Sequence, residues 1–200
     1  VNYSDLVLVA HPGTGIQNVA DLIKRAQAQP GKLNYASSGP GTPYHMAGEL
    51  LKSMAKIDMV HVPYKGSPQI QAAFLGGEVQ VMFDGALSLP LARTGKLRAL
   101  GSSGLERSQA APEVPTIHES GLPNFSMTSW FGLGAPAGLA RPLVERINTS
   151  VNKAWNAPEV KKFFDDNGAM FIGGSADEFA ASVKRDIEVY CLYAEPSAAS

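Results

Sequence analysis

Two places in the chain hold residue types that could do chemistry. One is SSGPGTPYH, residues 37–45, which offers Ser37, Ser38, Thr42 and His45 around Gly39 and Gly41. The other is a pair of turns, VPYKG (62–66) and MFDG (82–85), which supply Tyr64, Lys65, Gly66 and Asp84. The first stretch has the look of a phosphate loop, of a nucleophile turn, or of an anion site at a helix start. A Walker A loop needs Lys then Ser or Thr after its second glycine, so that an ammonium reaches the phosphates. Here Thr42 and Pro43 follow Gly41, no lysine comes before Lys52, and Pro40 removes an N–H from any phosphate nest. The three-glycine dinucleotide pattern fails as well, since only Gly39 and Gly41 precede the helix.

A triad of Ser38, His45 and Asp84 can be drawn, but the serine lies outside a G-x-S-x-G elbow and the order is not that of the hydrolases. His11, His45, His61 and His118 show no metal-ligand spacing. The expectation is therefore no enzyme, no metal and no cofactor. The anion reading fares better. Thr42 falls at an N-cap and Pro43 at the first helical position, a favourable helix start. The first amides of a helix lack intrahelical partners and carry the positive end of its dipole. A carboxylate could accept from the N–H groups of Gly41, Thr42 or Tyr44 and from the hydroxyls of Ser37, Ser38 or Thr42. The same residues would also serve as a plain helix cap and a solvated turn. Lys65 has an equally plain role as a surface lysine, and Asp84 as a structural cap.

Alternating strand and helix patterns place these residues. DLVLVA (5–10) reads as a strand, and Asn18 with Asp21 opens a helix that ends at Pro30-Gly31. KLNYAS (32–37) is the next strand, followed by a helix carrying Ala47, Leu50, Leu51 and Met54. DMVHVPY (58–64), EVQVMF (78–83) and LRALGS (97–102) read as strands, with helices around 70–74 and 87–94 between them. Residues 103–126 are loop-rich, and SMTSWFGLGAP (126–136) reads as a strand. Three helices and the short strand MFIGG close the chain, the last helix opening on a Ser175/Glu178 capping box, and YAEPSAAS reads as a frayed tail. The pattern predicts an α/β layered domain with a largely parallel sheet, whose carboxyl edge would carry the loops named above.

Composition narrows the partners. With 44% hydrophobic and 18% charged residues, the chain can bury a substantial core. Net charge is −1 and no basic block occurs, which argues against nucleic acid. The single cysteine, Cys191, makes no internal disulfide. No apolar run reaches the length of a membrane span.

Six blocks carry a resemblance: LNYASSGPGTPYHMAGELLKSMA, MVHVPYKG, GGEVQVMFD, GKLRALGSSG, PEVPTIHESGLPNF and SWFGLGAPAG. In order and spacing they resemble the substrate-binding proteins of tripartite tricarboxylate transporters, the Bug family, from about Leu6 to Ile187. The resemblance implies a type II periplasmic-binding-protein fold, α/β throughout. It implies a periplasmic protein that captures a small organic acid and delivers it to membrane permease subunits, without catalysis. On that template residues 10–125 are domain two, 5–10 and 126–135 are hinge-crossing strands, and 136–200 are the C-terminal part of domain one. By position, Ser37, Ser38, Gly41, Thr42 and His45 match the loop that meets the ligand carboxylate. Asp84 matches the acid after the third domain-two strand, and Tyr64, Lys65 and Gly66 a turn at the cleft edge. Family members open with a Gly-rich strand–turn–helix block that is not found here, and YCLYAEPSAAS departs from their ending. The chain thus resembles a shortened member, and self-association through an uncovered apolar face is an expectation. A remnant acting as an interaction module is the alternative, with a Ser/His hydrolase behind it.

Overall fold

The alternation of apolar runs and turns folds into strands and helices in the expected order, except that a further strand at Asn2–Asp5 precedes the first one expected. The structure, a computed structural model, describes residues 2–85, 88–109, 111–166, 169–171 and 173–194. The strands are β1 (Asn2–Asp5), β2 (Val7–Ala10), β3 (Asn34–Ser37), β4 (Val60–Pro63), β5 (Val81–Asp84), β6 (Arg98–Ser102), β7 (Thr128–Phe131) and β8 (Ala169–Phe171). The helices are α1 (Val19–Ala28), α2 (Pro43–Ala55), α3 (Ser67–Leu75), α4 (Leu89–Arg93), α5 (Arg141–Trp155), α6 (Pro158–Asp166) and α7 (Ala176–Ala194). The chain forms two compact units. The larger spans Asp5–Thr128, and the smaller takes the described residues on either side. The tail reading of the sequence falls mostly on residues 195–200, outside those described.

The larger unit holds a five-stranded sheet in the order β4-β3-β5-β2-β6. β3 pairs in parallel with β4 and β5, whereas β2 pairs antiparallel with β5 and β6. The expected largely parallel sheet is therefore mixed. Four strands run one way, but β2 lies between β5 and β6 and runs against both. The carboxyl ends of β3, β4, β5 and β6 and the start of β2 consequently share one edge of the sheet. Leu6 explains why the run 5–10 is not one strand. Its amide goes to the Ser103 hydroxyl at 2.8 Å and its carbonyl to the Ser103 amide at 2.8 Å. Those bonds separate β1 from β2. Ser103 is fully buried, and its hydroxyl also donates to the Met127 carbonyl.

Strand alternation sorts side chains onto two faces. Val7, Val9, Ala36 and Met82 join Ile70, Ala73 and Phe74 of α3 and Leu89 of α4 in one apolar cluster. The opposite face carries Tyr35 and is covered by α2, which buries Met46, Ala47, Gly48, Leu50 and Leu51. Both capping motifs form as expected. The Asp21 amide donates to Asn18 at 2.8 Å, and Ser175 and Glu178 bond reciprocally at 2.7 and 3.2 Å.

The smaller unit has a three-stranded sheet in the order β7-β1-β8. The predicted strand 126–136 is confined to β7, because Gly132 and Gly134 follow it. The Trp130 indole donates to Asp186 at 2.6 Å, and its ring packs edge-on against Phe179. A cavity of about 510 Å³ is lined mainly by Leu133, Val144, Ile147, Val151, Trp155 and Phe179. Phe131 and Leu133 are 66% and 69% exposed, large values for side chains of this size.

Candidate functional site

The edge where four strands end gathers most of the residues singled out by sequence. β3 ends at Ser37, whose carbonyl accepts from the Tyr64 amide at 2.9 Å. That bond ties the 62–66 turn to the 37–45 loop. Asp84 ends β5, and its charge is felt at Tyr44 in the first turn of α2. Ser37 and Asp84 therefore approach the edge from opposite faces of the sheet, one on the α2 side and one on the α3 side. Gly66 is the N-cap position of α3. Lys65 stands exposed, with its amide bonded to the Gln69 side chain at 3.0 Å.

The loop itself is tightly bonded within. Thr42 occupies the N-cap position, yet its side chain makes no capping bond. Its hydroxyl donates instead to the Gly39 carbonyl at 2.7 Å, and its amide to the same carbonyl at 3.3 Å. The expected side-chain cap is thus absent, because Gly39 turns its carbonyl toward Thr42. Gly41 has φ +77° and Gly39 φ +121°, conformations that favour glycine. The Gly41 amide donates to His45 Nδ1 at 3.2 Å. Pro43 has no N–H, and the first backbone bond of the helix runs from Met46 to Thr42 at 2.9 Å. Among the described residues, the amides of Tyr44 and His45 meet no acceptor. A helix start with free amides and an uncapped dipole is suited to an anion.

Behind the loop lies a polar cluster that the sequence reading did not assemble. Tyr35 and His61 are partners on the adjacent parallel strands β3 and β4, and their rings stack at 5.0 Å. His61 Nε2 lies 2.6 Å from the Ser37 hydroxyl. The His45 and His61 rings are 4.2 Å apart. Tyr35 donates to Glu49 at 2.5 Å, and Lys52 binds the same carboxylate at 2.9 Å. The serine paired with a histidine is Ser37, not Ser38. His45 serves the Gly41 amide, so the drawn Ser38–His45–Asp84 triad is not the arrangement formed. One signal in the sequence could have revealed the cluster: Tyr35 and Ser37, like His61 and Pro63, are two apart and so share a strand face.

Burial sets the protonation states. It lowers His61 to about 4, with the neighbouring His45 acting in the same direction. It also lowers His45, against the pull of Glu49. Burial works against the Glu49 carboxylate, but hydrogen bonds from Tyr35 and Lys52 more than offset it and leave its pKa low. Asp84 is raised by burial, which a bond from the Gly85 amide at 2.8 Å only partly opposes. A raised carboxyl destabilises the fold once it ionises. The unfolded chain ionises near the ordinary value of about 3.9, and the folded chain only higher. Stability is therefore lost as pH rises through that window. Asp84→Asn should raise the midpoint of thermal unfolding at pH 7 and lose that advantage at pH 3. Destabilisation at pH 7 would show instead that the ionised carboxylate holds the loop through Gly85. A separate cavity of about 350 Å³, beside Pro12, Leu89, Arg93 and Glu113, opens at the opposite end of the sheet.

The family profile described as the tripartite tricarboxylate transporter family receptor matches residues 1–188. A UPF0065 protein from the tcbD-tcbE intergenic region of Pseudomonas sp. (strain P51) is 39% identical over 186 residues, covering 91% of this chain and 55% of that protein. An R. palustris protein solved with adipate superposes with a TM-score of 0.91 at 30% identity, over 98% of this chain and 66% of that one. MatC from Rhodopseudomonas palustris, solved with bound malate, superposes with a TM-score of 0.88 at 27% identity, over 97% of this chain and 67% of that one. The chain thus spans little more than half the length of the curated relative, at 55%. The fold is α/β and type II periplasmic-binding-protein-like, with one complete α/β unit and part of a second.

Proposed function

This chain belongs to the tripartite tricarboxylate transporter receptor family, and from that premise we propose that it captures a small organic carboxylate in the periplasm for a tripartite transporter. Its partners on this reading are the carboxylate and the membrane permease subunits, and it performs no catalysis. The observation that carries the reading is the start of α2. Two free amides, of Tyr44 and His45, face the sheet edge that Ser37, Tyr64 and Asp84 also reach. Neighbours in fold hold adipate and malate, both dicarboxylates. Residues 10–125, inside the compact unit Asp5–Thr128, are read as domain two, with 5–10 and 126–135 as crossing segments and 136–200 as the C-terminal part of domain one. Among the described residues, no helix is long and apolar enough to cross a membrane.

The test is a calorimetric panel of adipate, malate and their uncharged diamides. Saturable one-to-one binding of an acid, with none of its diamide, is expected. Equal heats from acid and diamide would remove the carboxylate from the account.

A second reading is favoured by the smaller unit. Its cavity of about 510 Å³ and its exposed Phe131 and Leu133 are the kind of surface that another chain covers. On that reading the protein self-associates or acts as an interaction module. Light scattering across a dilution series tests the self-association, which a monomer at every concentration contradicts.

A further inference from the structure

We propose that His61 and His45 are positioning residues for the carboxylate loop, acting as a two-ring latch on the amides of Gly39 and Gly41. The inference rests on the carboxylate reading for its purpose, but its geometry stands alone. Both glycines are in the left-handed region, at +121° and +77°, where the backbone gains most from an outside restraint. Each amide has one side-chain acceptor. Gly39 donates to the Ser37 hydroxyl at 3.1 Å, and Gly41 to His45 Nδ1 at 3.2 Å.

Ser37 is itself held by His61 at 2.6 Å. With Nε2 unprotonated, His61 accepts the hydroxyl proton. With Nε2 protonated, it donates, and the hydroxyl turns its proton to the Gly39 carbonyl at 3.2 Å. Either arrangement leaves a lone pair for the Gly39 amide. The rings support each other: His61 packs between His45 at 4.2 Å and Tyr35 at 5.0 Å.

The second half of the latch is sensitive to protons. Nδ1 of His45 can accept from Gly41 only while unprotonated. The groups facing His45 are Glu49, 4.0 Å from its Nε2, and Lys52, both on α2, and His61 on β4. Protonation frees the Gly41 amide and puts a cation in the first turn of α2, next to where a carboxylate would sit. Burial depresses the His45 pKa, so the latch is closed at neutral pH and opens on acidification.

The geometry gives a test that packing alone would not pass. Asn places its amide oxygen where His has Nδ1, and Gln reaches roughly where His has Nε2. His45→Asn should therefore keep the Gly41 bond and His45→Gln should lose it. At position 61 the order reverses, with His61→Gln keeping the hold on Ser37 and His61→Asn releasing it. Temperature coefficients of the Gly39 and Gly41 amide protons report the bonds directly, without ligand. In the unmodified protein the Gly41 amide should also shift with pH as His45 titrates, and in His45→Asn it should not. Adipate should bind about five- to tenfold more weakly to His45→Gln and His61→Asn than to their paired variants, the effect of losing one restraining hydrogen bond. The latch is overturned if Asn and Gln behave alike at each position in the amide measurements. If no variant and no unmodified protein binds adipate or malate, the carboxylate reading fails, and the amide pattern still decides the latch.

Discussion

Gly41→Pro should weaken carboxylate binding by roughly 100-fold or more, a larger effect than the loss of about 1–2 kcal/mol it should cause in stability. Gly41 sits at φ +77°, and proline is locked near −65°. The loop cannot keep its path with that ring in place. Proline also deletes the amide that reaches His45 Nδ1 at 3.2 Å, so the first turn of α2 loses its tether. Hydrogen bonds to a charged group contribute about 1.5–3 kcal/mol each, so displacing even two donors from the carboxylate accounts for the predicted loss. Some stability should be lost as well, because proline is strained at a positive φ even with open space around it and the Gly41 amide bond is gone. Calorimetry and thermal unfolding of the same sample separate the two effects. Binding within threefold of the unmodified protein would mean that the acid is held elsewhere.

Gly48→Ala should destabilise the larger unit by about 2 kcal/mol, although alanine is the better helix former by about 1 kcal/mol. An added Cβ would lie 2.3 Å from Cε2 of Tyr35 and 2.8 Å from its Cδ2. Tyr35 has little room to yield. It is 1% exposed, stacked on His61 and bonded to Glu49. Moving its ring disturbs His61 and, through it, Ser37 and the loop. The expected readout is a thermal midpoint lower by roughly 4–8 °C, together with weaker carboxylate binding. Adding Tyr35→Leu to Gly48→Ala removes the clash, so part of the loss should return relative to Tyr35→Leu alone. No coupling between the two positions would place the ring's support outside α2.

The helices and strands were legible because their signals are local. Asn18 and Ser175 mark helix starts by side-chain chemistry confined to one turn, and both form the expected bonds. The direction of β2 was not legible. Its four residues, VLVA, are buried at every position, and such a run looks the same whichever way it pairs. Only the bonds of Leu6 to Ser103, 97 residues away, decide where the strand begins. The loop was legible in part. The glycines and Pro43 announced the helix start, but nothing local says that Thr42 would turn to Gly39 rather than cap its helix. His61 was missed for the same reason. Its role depends on Ser37 and Tyr35, which lie on another strand, and it follows only from pairing β3 with β4.

Amide chemical-shift mapping with adipate shows most directly where a carboxylate meets the protein. Saturable shifts at Ser38, Tyr44 and His45, spreading to Tyr64 and Asp84 and absent with adipamide, are the predicted result. Shifts confined to the opposite end of the sheet, around Arg93 and Glu113, or no difference between acid and diamide, would contradict it.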